Sequence, residues 1–203
     1  MLRWALWAAL LCPAGALRAL VPVATGSEEI ELTAIANVWR RAGWDVTIAA
    51  IDDHPVVTCA RGQRILADAA PDDLLDAQFE AIALPGGMPG ASNLAACEPL
   101  LRLLRRHKVD NRWYGAICAS PAVVFAQAAP DLLPSRATCH PAFSDALEQA
   151  VGCTALDERV VVDEAARCVT SRGPGTAIEF ALELVRLVEG DDAANNVSGP
   201  MCV

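Results

Sequence analysis

The sequence has few of the residues that several common functions depend on. Only 16 lysines and arginines stand against 25 aspartates and glutamates, which gives a formal net charge of −9. Because binding to the phosphate backbone needs a positively charged surface, this composition argues against nucleic-acid binding. The basic run at 102–108 has helical spacing with leucines between its charges, and we interpret it as the solvated face of a helix.

Membrane-length apolar runs and zinc-binding cysteine patterns are also missing. The apolar residues are spread along the chain, so the sequence predicts no membrane span. The eight cysteines include no C-x-x-C pair, the spacing typical of structural zinc sites. A chain of 203 residues can form one core without disulfides or metals. We therefore predict one globular domain with mostly reduced cysteines and no structural zinc site.

The N-terminal segment differs from the rest of the chain. Arg3 precedes a short apolar run and the small residues at 14–16, an order typical of a secretory signal peptide. The absence of acidic residues before Glu28 also suits an organellar transit segment, and a wrongly assigned start codon is a third interpretation. We predict a targeting segment over 1–17 and a single domain over 18–203. The secretory pathway, an organelle and the cytoplasm all stay open as its compartment.

After this segment, short apolar strands alternate with amphipathic helices. Strands are predicted over 18–24, 45–50, 79–84, 113–117, 158–164 and 166–171, with another ending at Cys139-His140. Helices are predicted over 26–43, 94–108, 121–129, 142–150 and 173–190, and a hairpin over 56–68. The alternation predicts an α/β fold with a mostly parallel sheet covered on both faces. The polar tail from Asp191 onward gives no prediction.

Three motifs follow predicted strands: the Pro-Gly-Gly turn at 85–87, the turn at Cys118 and the segment ending at His140. Ligands bind parallel sheets at the carboxyl ends of strands, so we expect the three to converge. A nucleophile on a sharp strand-to-helix turn needs small neighbours, and Ala116 and Ala119 are small. The start of the following helix predicts a lowered pKa for the thiol. On the residue alone, a buried cysteine is more often a small core hydrophobe.

Five motifs, in this order, make the chain similar to a known family: GSEEIE (26–31), LPGG (84–87), AICASP (116–121), TCHP (138–141) and TSRGPGTAIEF (170–180). They resemble the ThiJ/PfpI superfamily, and within it the branch of the parkinsonism-associated protein deglycase and its bacterial relatives. The resemblance covers about Arg18 to Val197. It implies a three-layer sandwich of the flavodoxin-like type, as in class I glutamine amidotransferases. It also implies a homodimer formed through the first helix.

The resemblance also implies roles for individual residues. Cys118 corresponds to the nucleophile, Glu31 to the acid that hydrogen-bonds it, and His140 to a histidine beside it. The expected oxyanion and substrate-binding groups are Gly86, Gly87, Ala119 and Arg61, with the amides of Gly87 and Ala119 facing the oxyanion. Arg61 matches a position associated with anion binding near the pocket.

Each of these roles has an alternative. The residues alone do not choose between Glu28, Glu29 and Glu31, and only the family motif selects Glu31. His140 can instead cap the helix that follows it, although it is better placed than the other two histidines. The chain also departs from close relatives at Ser120, where they have alanine or glycine. This change removes no reactive group.

The function implied is that of a cysteine-dependent, cofactor-free glyoxalase or protein deglycase. Its substrates would be 2-oxoaldehydes such as methylglyoxal and glyoxal, or their early adducts on proteins, and its products 2-hydroxy acids. The main alternative is an oxidative-stress sensor or redox-regulated chaperone that works through oxidation of Cys118. A cysteine peptidase or amidase is a third interpretation.

Overall fold

The structure is a computed structural model that describes residues 15–70 and 77–203. Its strands are β1 (Arg18–Val23), β2 (Asp45–Ala50), β3 (Val56–Thr58), β4 (Arg64–Leu66), β5 (Ala81–Leu84), β6 (Trp113–Ile117), β7 (Arg136–Ala137), β8 (Thr154–Ala155), β9 (Val160–Asp163) and β10 (Cys168–Ser171). Six of them form a central sheet in the order β2-β1-β5-β6-β10-β9. All neighbours in this sheet are parallel except β9, which is antiparallel to β10. The mostly parallel sheet is confirmed.

Helices cover both faces of the sheet. They are α1 (Glu29–Arg41), α2 (Gly90–Ala95), α3 (Glu98–Val109), α4 (Ser144–Glu148), α5 (Ala177–Glu189) and α6 (Asp191–Met201), and a π-helix spans Pro121–Ala128. One apolar cluster joins the sheet to α1, α5 and α6, and a second joins it to α3 and the π-helix. The predicted three-layer α/β sandwich is therefore confirmed.

The side chains of β1 show why the strand is buried on both faces. Val21 and Val23 belong to the cluster under α1 and α5, whereas Leu20 belongs to the cluster under α3. Successive side chains of a strand point to opposite faces, so a continuous apolar run fills both layers.

The short hairpin of β3 and β4, predicted around Arg61-Gly62, is also present.

Two sequence predictions need correction. The helix expected over 94–108 is broken, because α2 ends at Ala95 and α3 begins at Glu98. Pro99 lies in the first turn of α3, where its missing N–H costs nothing, whereas inside a longer helix it would clash with the preceding turn. The strand before His140 is only β7, which pairs with β8 outside the central sheet.

The chain ends are described in part. The tail after Asp191, for which no prediction was made, forms α6, which packs on α5 and buries Val197. Most of the predicted targeting segment, 1–17, lies outside the described residues. Within 15–70 and 77–203, no helix has the length and apolar character needed to cross a bilayer.

Candidate active site

Cys118 lies directly after β6 in an unusual backbone conformation. Its φ of 65° is in the left-handed region, which residues other than glycine rarely adopt. Two backbone hydrogen bonds hold it: its N–H donates to the Ser171 carbonyl at 3.0 Å, and its carbonyl accepts from the His140 N–H at 2.8 Å. Such strain persists where the surroundings over-determine the backbone, and it is common at functional sites. The turn thus presents a mostly buried thiol at the carboxyl edge of the sheet.

The three glutamates at the start of α1 have distinct roles. The Glu28 carboxylate accepts from the Glu31 N–H at 2.8 Å and caps the helix. The Glu29 carboxylate accepts from the Arg61 N–H at 2.8 and 3.1 Å, which fixes the β3–β4 hairpin against α1. Only the side chain of Glu31 reaches the cysteine. The structure therefore separates three residues that the sequence alone did not. It also adds the capping and hairpin contacts, for which no signal was found in the sequence.

Glu31 is fully buried between the turns that follow β5 and β6. Its Oε2 atom accepts from the Gly86 N–H at 2.6 Å, and the carboxyl group also interacts with the Cys118 thiol. Within the described part of the chain, the other oxygen, Oε1, has no hydrogen bond of ordinary geometry. A buried carboxyl group that interacts with a thiol and has an unpaired oxygen can exchange a proton with that thiol.

The site shifts the pKa values of both reactive groups. Burial raises the pKa of Glu31 to about 7, although the Gly86 N–H and the Cys118 thiol oppose the shift. Burial and the nearby Glu31 carboxylate raise the pKa of Cys118 to about 12, and the amides of Gly87 and Ala119 oppose this. The prediction of a lowered thiol pKa is therefore wrong, because loss of solvent outweighs the amide dipoles. Near neutral pH the site holds a thiol beside a carboxyl group that is titrating.

Two glycines let the turns pack closely. A Cβ on Gly86 would lie 2.6 Å from the Cβ of Cys118, and one on Gly87 would lie 2.5 Å from the backbone nitrogen of Glu28. Gly87 also has a φ of 84°, which disfavours any side chain there. The Gly87 and Ala119 amides interact with the sulfur of Cys118. Both amides therefore lie beside the sulfur of Cys118, and their role toward an oxyanion stays a prediction.

The remaining predicted residues lie at the edge of the site. The backbone N–H of His140 donates to the Cys118 carbonyl. Its imidazole Nδ1 accepts from the Ala142 N–H at 3.2 Å and caps the next turn. The described residues show no hydrogen bond from its imidazole to Cys118 or Glu31, so the capping alternative describes its observed role. The Arg61 side chain is exposed and forms no ion pair within 15–70 and 77–203.

Replacing Gly86 with alanine tests the close packing. We expect the Gly86→Ala protein to lose about 1–3 kcal/mol of folding free energy, because the new Cβ must displace the Cys118 turn. The rate of Cys118 alkylation by iodoacetamide should change as well. Chemical denaturation and mass spectrometry measure the two effects. Gly199→Ala is the control, since its Cβ would meet open space; equal behaviour of the two variants would contradict the packing described here.

No group of three or more histidines, cysteines, aspartates or glutamates is arranged to hold a metal ion in the part of the chain that the structure describes. The residues gathered at the site are instead a thiol, a carboxyl group and backbone amides. Together these provide a nucleophile, a proton carrier and hydrogen-bond donors for a developing negative charge.

Comparisons with known proteins show the family of the chain. The DJ-1/PfpI family matches residues 17–187. The chain is 38% identical over 177 residues to glutathione-independent glyoxalase DJR-1.2 of Caenorhabditis elegans, covering 87% of this chain and 91% of the relative. It is 39% identical over 184 residues to protein DJ-1 homolog B of Arabidopsis thaliana, where the match covers 91% of this chain but only 41% of that longer protein.

Solved structures show the same fold. The oxidized DJ-1 of Toxoplasma gondii superposes with a TM-score of 0.85 at 37% identity, covering 92% of this chain and 98% of that one. The VC2308 protein also reaches a TM-score of 0.85, at 38% identity over 93% of this chain and 94% of its own. Because the family match spans residues 17–187 and both the relatives and the fold agree with it, the chain belongs to the DJ-1/PfpI family.

Proposed function

We propose that the protein is a glutathione-independent glyoxalase that converts 2-oxoaldehydes such as methylglyoxal to 2-hydroxy acids. The observation that carries the proposal is the contact between the buried Glu31 carboxyl group and the Cys118 thiol. The similarity to a glutathione-independent glyoxalase of C. elegans supports it. Early adducts of these aldehydes on proteins are proposed substrates of the same site.

The first step forms a bond between sulfur and carbon. The sulfur of Cys118 attacks the aldehyde carbon while the Glu31 carboxylate takes the thiol proton. The carbonyl electron pair moves to oxygen, and the Gly87 and Ala119 amides stabilise the oxyanion. That oxygen then receives the proton from Glu31, which gives a thiohemiacetal and returns the carboxylate to its basic form.

The next step moves hydrogen between adjacent carbons. Glu31 removes the proton from the carbon bonded to sulfur, and a proton returns to the neighbouring carbon. The first carbon is oxidised and the second is reduced, so no external oxidant or reductant is needed. Water then cleaves the thioester, releases the 2-hydroxy acid and restores the thiol. The sum is one aldehyde and one water giving one acid.

Lactate formation from methylglyoxal without glutathione tests this function in the full-length protein. We expect catalytic turnover whose rate rises with pH through about 7, because Glu31 accepts a proton only when it is ionised. Lactate is measured enzymatically at pH 5.5, 7 and 8.5. The proposal fails if the purified, folded protein forms no lactate, or if its rate falls as the pH rises through 7.

A second candidate function is redox sensing through Cys118, and the amides around its sulfur favour it. Oxidation would consume two molecules of peroxide, add two oxygen atoms to the sulfur and release two waters, giving a sulfinate. Below pH 7, a protonated Glu31 can donate a hydrogen bond to that group. If no lactate forms while mild peroxide adds two oxygens to Cys118 alone by mass spectrometry, this function replaces the glyoxalase proposal.

A further inference from the structure

Ser120 lies two residues after the nucleophile, and the function proposed above does not use it. Its side chain is fully buried, and its hydroxyl donates to the Pro85 carbonyl at 2.6 Å. Within 15–70 and 77–203, this is the side-chain hydrogen bond that ties the turn after β6 to the turn after β5. A buried hydroxyl needs a partner, but many backbone carbonyls would satisfy that need.

The bonded carbonyl belongs to a peptide group that also contacts Glu31. The oxygen of Pro85 and the N–H of Gly86 are parts of the same planar unit, and that N–H donates to Glu31 Oε2 at 2.6 Å. Fixing the oxygen of a planar peptide fixes the direction of its N–H. A hydrogen bond to the oxygen also polarises the group and strengthens the N–H as a donor.

We propose that Ser120 is a positioning residue: its hydroxyl holds the Pro85–Gly86 peptide so that the Gly86 N–H stays on the Glu31 carboxyl group beside the nucleophile. The effect of Ser120 on turnover rests on the proposed glyoxalase function. Its effect on proton binding by Glu31 does not. The next peptide group is held separately, because the Gly86 carbonyl accepts from the Glu28 N–H at 3.0 Å. Among the described residues, the hydroxyl of Ser120 bonds only the oxygen of the Pro85–Gly86 peptide.

The proposal has a direct consequence for Glu31. The Gly86 N–H stabilises the carboxylate, so weakening that hydrogen bond favours the protonated acid. The other titratable groups that act on Glu31 are Cys118, which stabilises its carboxylate, and Glu28, which opposes it. Both lie on backbone that Ser120 does not bond, so removing the hydroxyl should change chiefly the contribution of Gly86.

Ser120→Ala and Ser120→Gly test the proposal, with both variants in the full-length protein. Alanine and glycine are the residues expected in close relatives, and both are smaller than serine. Titration of Glu31 is followed by ¹³C NMR of glutamate-labelled protein, with Glu31→Gln used to assign the signal. We expect Glu31 to bind its proton about 3- to 10-fold more tightly in both variants, and the pH–rate midpoint to rise accordingly.

Ser135→Ala is the matched control, because that hydroxyl also makes a 2.6 Å hydrogen bond, to Asp163, away from the site. It should leave the Glu31 titration unchanged. An unchanged titration in both Ser120 variants overturns the proposal, and so does loss of folding in both, since the hydroxyl would then support the fold as a whole. If the unmodified protein forms no lactate, only the proposed function fails, and the titration still decides the role of Ser120.

Discussion

Replacing Cys118 with serine is expected to abolish conversion of methylglyoxal to lactate, lowering kcat/KM by about a thousandfold or more. Serine has nearly the same shape, so the turn and its two backbone hydrogen bonds should persist. An alcohol, however, ionises far less readily than a thiol, and a carboxylate with a pKa of about 7 cannot deprotonate it effectively. Lactate formation and thermal unfolding of both proteins measure the change.

Cys139→Ser is the control for this substitution. Cys139 is also buried, and it lies next to the residue whose N–H binds the Cys118 carbonyl. Within 15–70 and 77–203, its side chain forms no hydrogen bond with Cys118 or Glu31. Turnover should stay within about twofold of the original. Substantial lactate formation by folded Cys118→Ser protein would show that the nucleophile lies elsewhere, whereas equal losses in both variants would point to a general structural effect.

The sharp turn at Cys118 could be predicted from local sequence. Ala116 and Ala119 flank Cys118 at the end of an apolar run, and a strand-to-helix turn needs small residues there. Parallel strands place such turns at one edge of the sheet, so the approach of residues 85–87 followed from the predicted topology. Both predictions depend only on patterns within short stretches of sequence. The structure confirms the turn and its approach to residues 85–87.

Properties that depend on three-dimensional surroundings could not be predicted. The pKa of Cys118 is raised because the folded site excludes water, and the residues next to it in sequence do not report burial. The sequence left two roles open for His140, and the choice of capping depends on local backbone geometry, because Ala142 presents an N–H to the imidazole. The peptide linking Ser120 to Glu31 joins residues far apart in the chain, and no sequence period marks such a contact.

Replacing Glu31 with glutamine is expected to stabilise the protein at high pH while removing most of its turnover. The folded-state pKa of Glu31 is about 7, above its ordinary value of 4.5, so the folded protein holds the proton more tightly than the unfolded chain does. Stability is therefore present below about pH 4.5 and is lost as the pH rises to 7. Above pH 7 the buried carboxylate costs about 3 kcal/mol, which a neutral glutamine avoids.

Urea unfolding of the Glu31→Gln protein at pH 5 and pH 8 measures this difference. The gain should be large at pH 8 and small at pH 5, where the original residue is mostly protonated in the folded state. Glu164→Gln, at an exposed turn, is the control and should show no such pH dependence.

Lactate formation should fall at least about 100-fold in Glu31→Gln, because an amide cannot carry the proton. A variant with full turnover would exclude Glu31 as the proton carrier. A variant no more stable at pH 8 than the original would mean that the carboxylate is well solvated. The buried acid–thiol pair would then no longer explain the chemistry.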